Sequence, residues 1–123
     1  MLNKAFMESY YEAYNSGDKQ ALSRFYAEDI VLVSAQGEIR GREAMLATYD
    51  WITGQMLDQM TPQSILIEGR RAAVEINDTF TAKHSVSDFL GRALQEGESF
   101  SMKLCGLYTL GDDGFEHIVL YQR

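Results

Sequence analysis

The sequence predicts an α+β fold in which three N-terminal helices gather against one face of a curved, mostly antiparallel sheet. Apolar residues recur at helical spacing over residues 2–15 and again in "REAMLATYDWITGQMLD". After Pro62 the period switches to two and holds through "QSILIE", "VEINDTF", "SFSMKLCGLYTL" and "FEHIVLYQ". Gly-centred turns such as "EGR" and "GDDG" join neighbouring strands of this set, the pattern of a sheet built from successive antiparallel strands.

Residues 2–15 form the first expected helix, with Leu2, Phe6, Tyr10 and Ala13/Tyr14 on one face. "NSGD" ends it: Gly17 suits a left-handed terminal position, and Asp18 can cap a second, short helix. That helix runs from Lys19 to about Tyr26 and packs through Leu22, Phe25 and Tyr26. β-Branched "DIVLVS" predicts a strand over about 30–34, and after the "AQG" turn "EIR" returns as a brief second strand. The third helix carries a stripe of Met45, Leu46, Tyr49, Ile52, Thr53 and Met56, weakened near its end by Gly54. Beyond Pro62 four strands are expected: "QSILIE", Arg71 to about Lys83, "SFSMKLCGLYTL" and "FEHIVLYQ". Residues 84–98 read either as an irregular connection or as one short helix.

A chain of 123 residues fits a single domain, residues 1–123, and is long enough to bury a core. Its net charge of −7 repels phosphate backbones, which argues against nucleic acid as a partner. No run approaches the ~20 apolar residues of a membrane span. Lys4, Glu8 and Glu12 interrupt the N-terminal segment, so it does not read as a signal peptide. Cys105 is the only cysteine, and His84 and His117 have no partner at zinc-type spacing. No metal or cofactor is expected, and a reducing cytoplasmic setting is the default.

One residue breaks the apolar pattern. In "VEINDTF", Val74, Ile76 and Phe80 share a strand face, and Asp78 stands in the same row. If the strand is continuous, Asp78 points into an apolar interior, where burial disfavours its charge and makes it useful as a general acid or base. A turn or bulge at Asn77-Asp78 would instead put it in solvent. The other candidates are weaker. His84 and Asp88 would act together only on a helix, and His117, alternating with Phe115 and Val119, falls on a sheet face. Lys103, two residues from Cys105, gives that thiol little activation.

Several phrases resemble the nuclear transport factor 2-like superfamily, in its SnoaL-like and ketosteroid-isomerase-like branch. "YYEAYNSGDKQALSRFYAEDIVLVS" is similar to that family's opening, "GEIRGREAM" to its turn into the third helix, and "YTLGDDGFEHIVLYQ" to its last hairpin. The resemblance spans nearly the whole chain and implies a cone-shaped half-barrel, in which a bent sheet wraps the first helix around a cavity. It also implies frequent homodimers joined through the outer sheet face.

Tyr10 stands where ketosteroid isomerases carry an oxyanion-stabilising tyrosine. Their two aspartates would fall near Leu32–Val33 and Cys105–Gly106, where this chain has no acid. Asp78 matches an aspartate of limonene-epoxide-hydrolase-like members. Ile76 replaces their arginine, and their partner acid, near Leu120, is missing.

Two functions follow as expectations. The first is a pocket for a small apolar organic ligand, acting as an isomerase, cyclase or hydrolase-type enzyme on a carbonyl- or epoxide-containing substrate. Asp78 would be its general acid/base and Tyr10 its hydrogen-bond donor. Helical residues Phe6, Tyr14, Tyr26, Tyr49 and Trp51, and strand residues Ile76, Phe80, Met102 and Leu104, are expected to line the pocket. The second is a non-catalytic ligand-binding or accessory domain whose cavity is mostly filled. Either is expected to be a homodimer, because Val119, Tyr121, Leu107 and Cys105 leave the outer face of the last strands apolar.

Overall fold

The computed structural model describes residues 1–123. Helix α1 (Lys4–Asn15) starts at Asn3, whose side chain accepts the amide of Phe6 at 2.8 Å. Helix α2 (Lys19–Ser23) is capped by Asp18, which accepts from the amides of Gln20 and Ala21. Strands β1 (Tyr26–Ser34) and β2 (Gly37–Arg40) form a hairpin, followed by helix α3 (Arg42–Gln55). The remaining strands are β3 (Met56–Glu68), β4 (Arg71–Ala82), β5 (Val86–Phe89), β6 (Arg92–Leu94), β7 (Ser99–Gly111) and β8 (Gly114–Gln122). Six of them make one sheet in the order β2-β1-β8-β7-β4-β3, antiparallel except for the parallel β1–β8 pair. No helix is long and apolar enough to cross a membrane.

The expected α+β architecture is present, with the helices on a curved, unclosed sheet. Four local expectations need correction. Tyr26 begins β1 rather than ending α2, because Leu22 and Phe25 already close the helix and the chain turns at Arg24. The third helix stops at Gln55, and Met56–Asp58 belong to β3, where they pair with Ala82, Thr81 and Phe80 of β4. Residues 84–98 hold a two-stranded hairpin, β5–β6, rather than a helix or an irregular connection. Its turn is fastened by Asp88, which accepts the amide of Gly91, so His84 and Asp88 are not a helical pair. Finally, Phe115 is buried while His117 is exposed, because a register irregularity in the β7–β8 pairing places an extra residue between them.

Strand β3 shows how sequence sets curvature. Thr61 and Pro62 pair with Asn77 and Ile76, yet Ser64 pairs with Glu75, so Gln63 is an extra residue. This bulge sits beside a proline that cannot donate to a ladder, and β3 is the sheet's edge, where neither feature leaves a neighbour unpaired. The bulge also flips the parity of the strand. Met56, Asp58 and Met60 face inward before it, and Ile65 and Ile67 after it.

Helix α1 crosses the concave face and buries Met7, Tyr10, Tyr11 and Tyr14. Asn15 fixes its end: the side-chain amide donates to the carbonyl of Met60 at 2.8 Å and accepts that residue's amide at 2.7 Å. Opposite, Tyr108 of β7 folds back along its own strand over Gly106, and the hydroxyl of Tyr11 donates to that of Tyr108 at 2.9 Å. A Cβ on residue 106 would stand 2.6 Å from that buried ring, so the ring or the strand would have to shift. Gly106→Ala should therefore cost on the order of 1–3 kcal/mol, the usual cost of forcing extra volume into a packed core. Urea unfolding measures it, and an unchanged midpoint would contradict this packing.

Candidate active site: two buried carboxyls in an aromatic cavity

Between the sheet, α1 and α3 lies a cavity of about 220 Å³. Its mouth is formed by the β1–β2 turn, Trp51 and Thr48 of α3, and Leu90 at the tip of the β5–β6 hairpin. Trp51 is half exposed and stacks on the buried Phe89 at 5.5 Å, which ties the hairpin to α3.

Asp78 is 2% exposed and lines this cavity. Strand β4 is continuous through it, with Met60 and Met102 as its partners on the neighbouring strands. It is not alone. Asp58 of β3 pairs with Phe80, which puts its side chain on the same face as Asp78 and diagonally across from it. Asp58 is equally buried, at 4% exposed.

Two neighbouring carboxyls this deeply buried resist ionising together, so they titrate as one unit that keeps a proton well above the usual range. Burial is the main reason that Asp78 is raised, and its hydrogen bond to Asp58 and the charge on Asp58 push the same way. Asp58 is raised too, again by burial first, but the hydrogen bonds from Asp78 and Tyr14 pull it back. The hydroxyl of Tyr14 donates to Oδ2 of Asp58 at 2.7 Å. That bond biases the negative charge onto Asp58 and the proton onto Asp78. Apart from the bond between the two acids, no donor reaches Oδ1 of either residue, and both atoms are buried.

The position of Tyr14 follows from α1. Because Asn15 is clamped to Met60, the preceding residue lies above Asp58, two positions earlier on β3. Tyr49 of α3 donates its hydroxyl to the carbonyl of Tyr14 and packs edge-on against its ring at 5.1 Å.

Tyr10, the expected hydrogen-bond donor, also lines the cavity, but its hydroxyl is paired with that of Tyr26 at 2.9 Å rather than with either acid. One of the two donates to the other, which leaves one hydroxyl proton of the pair unspent. Burial raises the pKa of both phenols, so both keep their protons at neutral pH.

Of the residues expected to line the pocket, Tyr14, Tyr26, Tyr49, Trp51, Phe80, Met102 and Leu104 do so. Phe6 and Ile76 do not. Phe6 lies one helical turn before Tyr10 and packs edge-on against Phe25 and Phe115, while Ile76 is sealed into the main core with Val74. No group of three His, Cys, Asp or Glu side chains could surround a metal ion.

Asp58 escaped the sequence reading. "GQMLDQM" continues the spacing of the preceding helix, so Asp58 looked like the helix's last turn. The alternation of Met56, Asp58 and Met60 was the available signal, and it begins before Pro62.

A family model for the SnoaL-like domain matches residues 7–120. Among solved structures, a proposed polyketide cyclase from Xanthomonas campestris pv. campestris superposes with a TM-score of 0.82 at 22% identity, covering 97% of this chain and 88% of the other. A proposed polyketide cyclase from Streptomyces antibioticus gives 0.76 at 23% identity, covering 96% and 89%. An LEH-like epoxide hydrolase of M. tuberculosis gives 0.76 at 14% identity, covering 95% and 79%. At such identities the likeness is one of fold. No curated protein sequence matches the chain.

The raised acid has a stability consequence whose sign is fixed. The native state holds the proton of Asp78 more tightly than the unfolded chain does. The stability this gives is complete below the ordinary value of 3.8 and is lost as pH rises from there through the native-state value. Asp78→Asn has no proton to lose, so its advantage over the wild type should grow with pH, by up to about 1.4 kcal/mol per unit. Urea midpoints measured from acid to mildly alkaline pH test this; parallel curves for the two proteins would contradict it.

Proposed function

The chain belongs to the SnoaL-like domain family, and from that premise we propose that it is a pocket enzyme moving a proton on a small, largely apolar substrate. The observation that carries this reading is the Asp58–Asp78 pair, buried in an aromatic cavity with Tyr14 on one member. Neighbouring carboxyls whose environments push their affinities apart supply an acid and a base at the same pH. Asp78, holding the proton, is the acid toward a carbonyl or epoxide oxygen. Asp58, charged and oriented by Tyr14, is the base toward a C–H or a water. The unspent hydroxyl proton of the Tyr10–Tyr26 pair supplies a donor for an oxygen that gains charge. This chemistry suits isomerisation, cyclisation or epoxide opening. The pairing of acids in this chain uses β3 and β4, which replaces the partner acid missing near Leu120.

A second reading is favoured by the size of the cavity. At about 220 Å³ it is smaller than the usual ligand site of ~300–1,000 Å³, as expected of a non-catalytic binding or accessory domain whose cavity is largely filled by tyrosines. Turnover separates the two. A panel of small ketones, lactones and epoxides is first screened for ligands that raise the melting temperature, and the hits are then assayed. For the enzyme, Asp78→Asn and Asp58→Asn should each lower kcat by about 10²–10⁴ while still binding the hit. Turnover equal to wild type in both variants would remove the pair from the mechanism.

We also propose that the outer sheet face joins two copies. There Cys105 pairs with Tyr121 and Leu107 with Val119, and Tyr121 is largely exposed. Light scattering at micromolar concentration should give twice the 13.9 kDa chain mass; a strictly monomeric mass would refute it.

A further inference from the structure

We propose that Leu90 is the specificity-determining residue of the cavity mouth, where it clasps the hydrocarbon tail of a substrate whose reacting oxygen enters first. The proposal rests on the reading of the cavity as a ligand site and names the molecules that site prefers.

Backbone and sequence together single out this residue. Phe89 pairs with Arg92, so the β5–β6 hairpin turns on two residues, Leu90 and Gly91. Both have positive φ, 52° and 81°, as in a type I′ turn. Glycine adopts such angles freely, and asparagine or aspartate tolerates them. Leucine is disfavoured, because its Cβ crowds the following carbonyl oxygen. Leu90 is the only non-glycine residue of the chain with a positive φ.

Core packing does not account for the leucine. The hairpin is held by Phe89, which is fully buried with Met56, Phe80 and Ala82, and Val86 and Leu94 pack against that cluster. Asp88 fastens the turn by accepting the amide of Gly91 at 2.9 Å. Leu90 itself is 37% exposed. One position therefore carries both a strained backbone and an exposed apolar side chain, and neither serves the core.

What the position supplies is a place on the rim. Leu90 lines the cavity together with Trp51, which stacks on the neighbouring Phe89. Of the large apolar side chains exposed on this protein, these two alone line the cavity. The β1–β2 turn, also at the mouth, is closed on itself, the amide of Gln36 donating to the hydroxyl of Ser34 at 3.2 Å. Asp58 and Asp78 stand at the buried end. A ligand that enters oxygen first leaves its tail against Trp51 and Leu90, and both side chains then lose surface to it rather than to water. The gain rises with the apolar area covered, hence with tail length. A charged or hydroxylated outer end would gain nothing from the leucine. Backbone strain kept at such a rim is the pattern of a ligand clamp, where binding rather than folding sets the side chain.

Methyl ketones of increasing tail, 2-pentanone, 2-heptanone and 2-nonanone, test the proposal. Affinity is read from amide NMR titrations, and stability from thermal unfolding of the free protein. Leu90→Asn installs a favoured turn residue and removes the apolar contact. It should raise the melting temperature by about 2–5 °C. It should also weaken 2-nonanone roughly fivefold or more, with a loss that grows along the series. Leu90→Met keeps the strain and the apolar surface, so its melting temperature and its affinity for 2-nonanone should stay near wild type.

A melting temperature of Leu90→Asn at or below that of wild type would make the leucine a structural residue. Unchanged affinity for 2-nonanone, or an equal loss for all three ketones, would remove it from the tail contact. Each of these results overturns the proposal and leaves the ligand site standing. No binding of any ketone by the wild type would overturn both.

Discussion

The burial of Asp58 and Asp78 side by side on one sheet face is the constraint on which the rest of the site depends. Removing two carboxylates from water costs several kcal/mol each unless something compensates, and here the compensation is a retained proton and one phenolic hydrogen bond. Everything that fixes the relative position of β3, β4 and α1 therefore bears on the chemistry. The antiparallel register sets the diagonal between the acids. The Asn15–Met60 clamp sets the height of Tyr14 above one of them. Losing either would leave a buried charge without its partner.

The same elements explain why the acids are buried and yet a cavity remains beside them. α1 covers the concave face with aromatic side chains that meet edge to face, as Tyr10 does with Tyr11, Phe25, Tyr26, Tyr108 and Phe115. Rigid rings in this arrangement pack well around α1 and still leave a cavity between the helices and the sheet. Gly106 is part of that balance. It lets Tyr108 lie along the sheet and meet Tyr11 instead of standing upright into the space. The bulge at Gln63 bends the edge strand, so that Asp58 and Met60 face inward before it and Ile65 after it.

Much of this was legible in the sequence, for physical reasons. Strict alternation in "VEINDTF" placed Asp78 among buried neighbours, because a continuous central strand allows no other assignment. The capping role of Asp18 and the aromatic face of α1 were equally local. What was missed depends on contacts between distant segments. Met56–Asp58 keep helical spacing, and only pairing with Phe80–Ala82 turns them into strand. Tyr26 looked like the end of a helix because its burial comes from α1, not from its neighbours. The hairpin at residues 86–94 carries little alternation of its own and owes its place to Phe89, which packs against Trp51, Phe80 and Phe100. Asp58 is the costly omission, since a single buried acid and a coupled pair do different chemistry.

The most direct measurement of the shared proton is a carbon-13 NMR titration of the side-chain carboxyls of Asp58 and Asp78. The account predicts that the pair takes up charge in separate steps, with Asp58 ionising first and Asp78 still protonated well above the ordinary carboxylate range. Two independent transitions, both near the value of an exposed aspartate, would contradict it.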